Sequence, residues 1–155
     1  MIGAIIGDII GSPYEFNANN IKTTDFPLFN EKSYITDDSI MTIATADAII
    51  HAYSFEDAYQ TWGNRYPKAG YGFSFRKWLK STPPLPYNSW GNGAAMRVSP
   101  VGYVALDIQE ALNKAKQIDE KRKNGISLAF PSDCRRTRLC IKQKLGSSSF
   151  LLKIR

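Results

Sequence analysis

From Ile40 to Ile50 the chain reads Ile, Met, Thr, Ile, Ala, Thr, Ala, Asp, Ala, Ile, Ile. A helix through this stretch is apolar on nearly every side and carries small residues that let neighbours approach. Such a helix belongs in the middle of a helical protein. A second apolar run covers residues 2–12, where Gly3, Gly7 and Gly11 recur at a spacing of four and fall on one helix face. Glycine disfavours a helix by about 1 kcal/mol relative to alanine, so three on one face predict close approach by another helix or by a ligand. The run is too short to span a membrane, has no positive segment before it and carries Asp8. It is therefore expected to form part of a soluble core and not a signal peptide.

The remaining pattern is also helical. Ser54-Phe55-Glu56-Asp57 opens a helix with acids in its first turn, running to about Tyr66 before Pro67. Gly70-Tyr71-Gly72 predicts a turn, Phe73 to Leu79 a short aromatic and basic helix, and Pro83, Pro84 and Pro86 a break. Asp107-Ile108-Gln109-Glu110 resembles a capping box ahead of a helix with Ala111, Leu112, Ala115 and Ile118 on one side. Strand signals are scarce, so residues 1–118 read as all-α.

Composition changes this picture in one place. The chain of 155 residues, 43% hydrophobic and 12% aromatic, suits one globular domain. Its net charge of +6 is uneven: residues 1–113 hold 8 Lys+Arg against 11 Asp+Glu, and residues 114–155 hold 12 against 3. The basic character belongs to the last quarter, which lacks interleaved aromatics, so nucleic acid is an unlikely partner. Cys134 and Cys140 match no common zinc spacing, and two cysteines in a chain of this size point to the cytoplasm.

Candidate chemistry gathers at the mouth of the apolar helix, in Thr36-Asp37-Asp38-Ser39. Carboxylates and hydroxyls are hard oxygen ligands, suited to magnesium, calcium or manganese. The same residues also suit an ordinary helix start, with Thr36 or Asp37 as N-cap and the acids favoured by the helix dipole. Asp8 reads either as a carboxylate bonded to nearby backbone or as a group supporting an oxygen-rich site. Glu15 reads as a solvated loop residue. The stretch Ser89-Trp90-Gly91-Asn92-Gly93-Ala94-Ala95-Met96-Arg97 runs from a small polar loop into a helix start, which suits either phosphate or a plain turn.

Three separated motifs resemble the ADP-ribosylglycohydrolase family: residues 3–11 with Glu15, Thr36-Asp37-Asp38-Ser39 with Met41-Thr42, and Ser89 to Arg97. The resemblance covers about residues 1–117. It implies an all-α domain holding two magnesium ions, and hydrolysis of the glycosidic bond between ADP-ribose and a modified side chain. By position, Thr36, Asp37 and Asp38 resemble the first set of metal ligands, and Glu15 the acid beside the scissile linkage. Ser89, Gly91, Asn92 and Gly93 resemble the loop against the diphosphate and ribose. The implied partner is an ADP-ribosylated protein or a small ADP-ribosyl substrate, with no membrane.

The chain departs from the family downstream. The second Asp/Thr-rich ligand motif and the His-containing stretch of that family have no counterpart in residues 118–155, which hold Asp119 and Asp133 but no His. The sequence reads as the N-terminal part of the family domain, residues 1–117, joined to a basic tail, residues 118–155. The expectation is a weakly active or inactive fragment, the alternative a module that binds ADP-ribose without turning it over.

Overall fold

Thr36 ends an extended stretch and turns the chain into its central helix. Its side-chain oxygen accepts a hydrogen bond from the backbone N–H of Asp38 at 3.2 Å, the N-cap arrangement that satisfies one of the free donors of a first turn. The computed structural model describes residues 1–15, 21–87 and 93–120. Their elements are α1 (Ile2–Gly11), a 3₁₀ turn (Ser12–Tyr14), α2 (Asp37–His51), α3 (Phe55–Arg65), α4 (Phe73–Trp78), α5 (Gly93–Arg97), α6 (Val101–Val104) and α7 (Ile108–Glu120). No strand occurs among the described residues, and the fold is all-α.

Helix α2 is the hub, touching α1, α3, α5 and α6. Met41, Ala44 and Thr45 are fully buried along it, and Ile40 joins them in a core with Tyr59, Tyr71, Phe75, Trp78, Leu79, Val101, Ala111 and Ile118. The buried Thr45 hydroxyl is satisfied twice, by the Met41 carbonyl at 2.9 Å and the Tyr59 hydroxyl at 3.0 Å. The helix emerges into solvent at its C-terminal end, where Ile50 is exposed and Ala52 closes it in a left-handed conformation.

Helix α3 is tied to both neighbours. Trp62 Nε1 donates to Asp47 of α2 at 2.8 Å, and Asn64 Nδ2 donates to the Leu79 carbonyl just past α4 at 2.8 Å. Gly63 lets that approach happen: a Cβ there would stand 2.4 Å from Leu79 Cδ2. Helix α7 starts as its sequence promised, Glu110 N–H donating to Asp107 Oδ1 at 2.8 Å while Glu110 Oε2 accepts from the Leu106 N–H at 2.7 Å. The short α6 ahead of it carried no sequence signal.

Helix α1 corrects the expectation of close packing. None of its residues is buried, Ile2 and Ile6 are exposed, and among the described residues nothing outside the local backbone of α1 lies within 4 Å of where a Cβ would stand on Gly3, Gly7 or Gly11. The helix is held chiefly through polar side chains at one edge, and no other described element covers its glycine face. The basic segment beyond Glu120 lies outside the described residues, and so do Ser89, Gly91 and Asn92. No described helix is long and apolar enough to cross a membrane.

Candidate active site

The site is built where α1 meets the start of α2. Asp8 reaches across from α1 and accepts three hydrogen bonds: from Thr36 Oγ1 at 2.5 Å, from the Thr36 N–H at 3.0 Å and from Ser39 Oγ at 2.6 Å. Asp8 bonds backbone, as one reading of the sequence had it, and its carboxylate also fixes the hydroxyls beside the acidic pair. Ser12 adds a second tie, its hydroxyl donating to the Ile9 carbonyl and accepting from the Tyr34 N–H, both at 3.0 Å. Glu15, exposed as the sequence suggested, sits at the exit of the 3₁₀ turn.

These groups surround one cleft of about 410 Å³. Asp8, Glu15, Asp38 and Thr42 line it together with Gly7 and Gly11, so the open glycine face of α1 is part of its wall. Thr42 donates to the carbonyls of Asp38 at 2.6 Å and Met96 at 3.3 Å, which joins α2 to α5 at the cleft. Thr36 lies beneath, buried, with its hydroxyl engaged with Asp8 and the Asp38 N–H. Asp37 faces the turn before α4. Gly70 there has φ +95°, and a Cβ on it would stand 3.7 Å from Asp37 Oδ1.

The acidic pair is electrostatically strained. Burial, the Asp38 charge and Glu15 push the Asp37 carboxyl up from 3.8 to about 6. Asp38 keeps a solvent-facing side, yet desolvation and the charges of Asp8 and Glu15 also raise its pKa. The countercharge opposing both shifts is Arg97. This guanidinium is buried at 3% exposure, 4.6 Å from the Tyr59 ring centre and 5.1 Å from that of Phe75, and it donates to the Gly93 carbonyl. Arg97 thus links the start of α5 to the field around the acids. No role for it was legible in the sequence beyond its place at the end of the Ser89 to Arg97 motif. Its signal was a lone arginine closing a small-residue helix, which is weak.

Tyr71, in the Gly70-Tyr71-Gly72 turn, is a second residue near the acids without a sequence signal of its own. It is buried, and its pKa is pushed up to about 12 by burial first and the Asp37 charge second.

Hard oxygen donors pressed together against their own repulsion suit a divalent cation in kind. They are short in number: among the described residues no three of His, Cys, Asp and Glu gather closely enough to hold an ion between them. Of the expected substrate loop, Gly93 alone is described, as the first residue of α5.

No curated protein and no solved structure matches the chain. Residues 1–120 match the family model described as ADP-ribosylglycohydrolase. That match includes both faces of the cleft and the helices behind it, and it carries a hydrolase function of the ADP-ribosyl type. The chain belongs to the ADP-ribosylglycohydrolase family.

Proposed function

We propose that the cleft hydrolyses the glycosidic bond between ADP-ribose and a modified side chain, and does so with magnesium. The observation that carries this reading is the acidic cluster, in which the pKa values of Asp37 and Asp38 are raised together despite the Arg97 countercharge, while Glu15 stands on the same cleft as Asp38. Thr36, Asp37 and Asp38 would hold the ion, with water completing a shell of roughly six oxygens. Bound there, magnesium supplies positive charge that orients ribose hydroxyls and stabilises charge developing at the sugar.

The chain's own groups do the rest. Glu15 accepts a proton from the water that attacks the anomeric carbon. The new bond joins that carbon to the water oxygen, the bond to the acceptor side chain breaks, and the released acceptor takes up a proton. Asp8 hydrogen-bonds Thr36 and Ser39 and so fixes the start of α2 beneath the substrate. Ser89, Gly91, Asn92 and Gly93 would bind the diphosphate and ribose through backbone N–H groups. With only the first ligand cluster at hand, activity of the 155-residue chain is weak or absent, because small misplacements of reacting groups cost large factors in rate. The setting is cytoplasmic, in keeping with a content of two cysteines.

The test is release of ADP-ribose from an arginine- or serine-modified protein, with magnesium or with chelator. Slow, magnesium-dependent release lost in Asp38→Ala supports the reading. Binding of ADP-ribose with no release, untouched by Asp37→Ala, would assign the chain to the non-catalytic alternative.

A further inference from the structure

Helix α5 is five residues long, and a helix of that length does not hold itself in water. Its place comes from its anchors. On the cleft side, Thr42 of α2 donates to the Met96 carbonyl at 3.3 Å, and Thr42 and Met96 both line the cleft. On the packed side the anchor is Arg97. Its guanidinium is buried, 4.6 Å from the ring centre of Tyr59 in α3 and 5.1 Å from that of Phe75 in α4. The same group reaches back one turn, Nε donating to the carbonyl of Gly93, where α5 begins. Taking a guanidinium out of water is costly even when it is paired. Methionine, of similar length, would fill the space beside the two rings at no such cost. A planar cation that lies on two rings and bonds a carbonyl fixes direction as well as depth, which a flexible apolar chain does not.

We propose that Arg97 is a positioning residue of the cleft, its guanidinium setting the register of α5 and, through it, the placement of Gly93 and Met96 beside the ligand. For the identity of that ligand, ADP-ribose, this rests on the functional reading above; no bound cation is needed for it. The chain of contacts is short. Tyr59 and Phe75 belong to the core that fixes α2. Arg97 ties α5 to that core, and Met96, the residue before it, borders the cleft. Loosening Arg97 therefore frees the α5 wall, while Asp8, Thr36 and Ser39 keep the hydrogen bonds that join α1 to α2.

The experiment compares the full chain with Arg97→Met and Arg97→Lys by urea unfolding and by calorimetric titration with ADP-ribose. In Arg97→Met the urea midpoint is expected to equal the parent's or exceed it, because the buried charge is gone. Its affinity for ADP-ribose falls by about five- to tenfold, the range that one well-placed polar contact spans. Arg97→Lys keeps the charge without the planar fork, and its affinity lies between the two. Affinity and stability then run in opposite orders, which a merely structural role would not produce. Equal affinities in all three proteins would overturn the role of Arg97 and leave the functional reading standing. A midpoint that falls in step with affinity would make the residue structural and also overturn it. Full affinity in Arg97→Lys would reduce the role to charge and overturn the positional one. Should Arg97→Met not fold, Arg97→Lys decides: weaker binding at the parent's midpoint supports the role, and parent-like binding overturns it. A parent chain that binds no ADP-ribose has a different signature, visible without any variant, and it would remove the functional reading and this proposal together.

Discussion

Toward α3 and α4, helix α2 presents Ile40, Met41 and Ala44 to a stack of rings in which Phe75 and Trp78 lie 5.5 Å apart and nearly parallel. Toward α1 it presents Thr36 and Ser39, hydrogen-bonded to one carboxylate, beside a helix with no buried residue. One side is held by apolar area removed from water, the other by a few directional polar bonds around an open cleft. The difference teaches where stability and chemistry are kept. The packed side fixes α2, and the lean side leaves its acidic N-terminus reachable.

The largest effect is expected on the packed side. Met41→Ala removes a side chain with no exposure, and loss of about 2–5 kcal/mol is expected from transfer and cavity terms together. Urea unfolding measures it, and a loss under 1 kcal/mol would break the comparison by showing a loose core. Next comes Asp8→Ala, which strands the Thr36 N–H and two hydroxyls at a cost of about 1–3 kcal/mol, offset in part by relief of its repulsion with Asp38. Hydrogen exchange sharpens that prediction, since amides of α1 should lose protection while those of α3 keep theirs.

A pair of glycine replacements gives the smallest and most discriminating effects. Gly7→Ala adds a Cβ into open space and should stabilise by up to about 1 kcal/mol through helix propensity. Gly63→Ala drives a Cβ into Leu79, which is itself buried, so an overpacking cost of about 1–3 kcal/mol opposes the same gain. Paired thermal melts should therefore separate the two variants in the order Gly7→Ala above Gly63→Ala. The reverse order would mean that the face of α1 is packed after all.

What could be read from the sequence was local. Thr36 as one of two N-cap candidates, the helix start at Ser54, the Asp107 and Glu110 turn, and the apolar run of α2 depend on residues within one or two helical turns, and each formed. The all-α class followed from the same patterns. What escaped was long-range. Asp8 meets Thr36 across 28 positions, and Arg97 lies between rings contributed by α3 and α4, which no spacing announces. The glycine spacing of α1 was legible, but whether a partner fills that face depends on tertiary placement, and here it borders a cleft. Tyr71 looked like a turn residue because its burial is a property of its surroundings.

The central claim is that the start of α2 holds carboxylates in need of a cation, and Asp37 is the group to test. Its folded pKa of about 6 lies above the ordinary 3.8, so its contribution to stability is fully present below pH 3.8 and is lost as pH rises through about 6. At pH 8 in chelator, Asp37→Asn should therefore melt higher than the parent chain, and the gap should close near pH 4. Magnesium should raise the melting temperature of the parent at pH 8 and leave the variant unmoved. The measurement is that four-way melt, two proteins with and without magnesium. A variant less stable than the parent in chelator, or an equal magnesium response in both, would contradict the account.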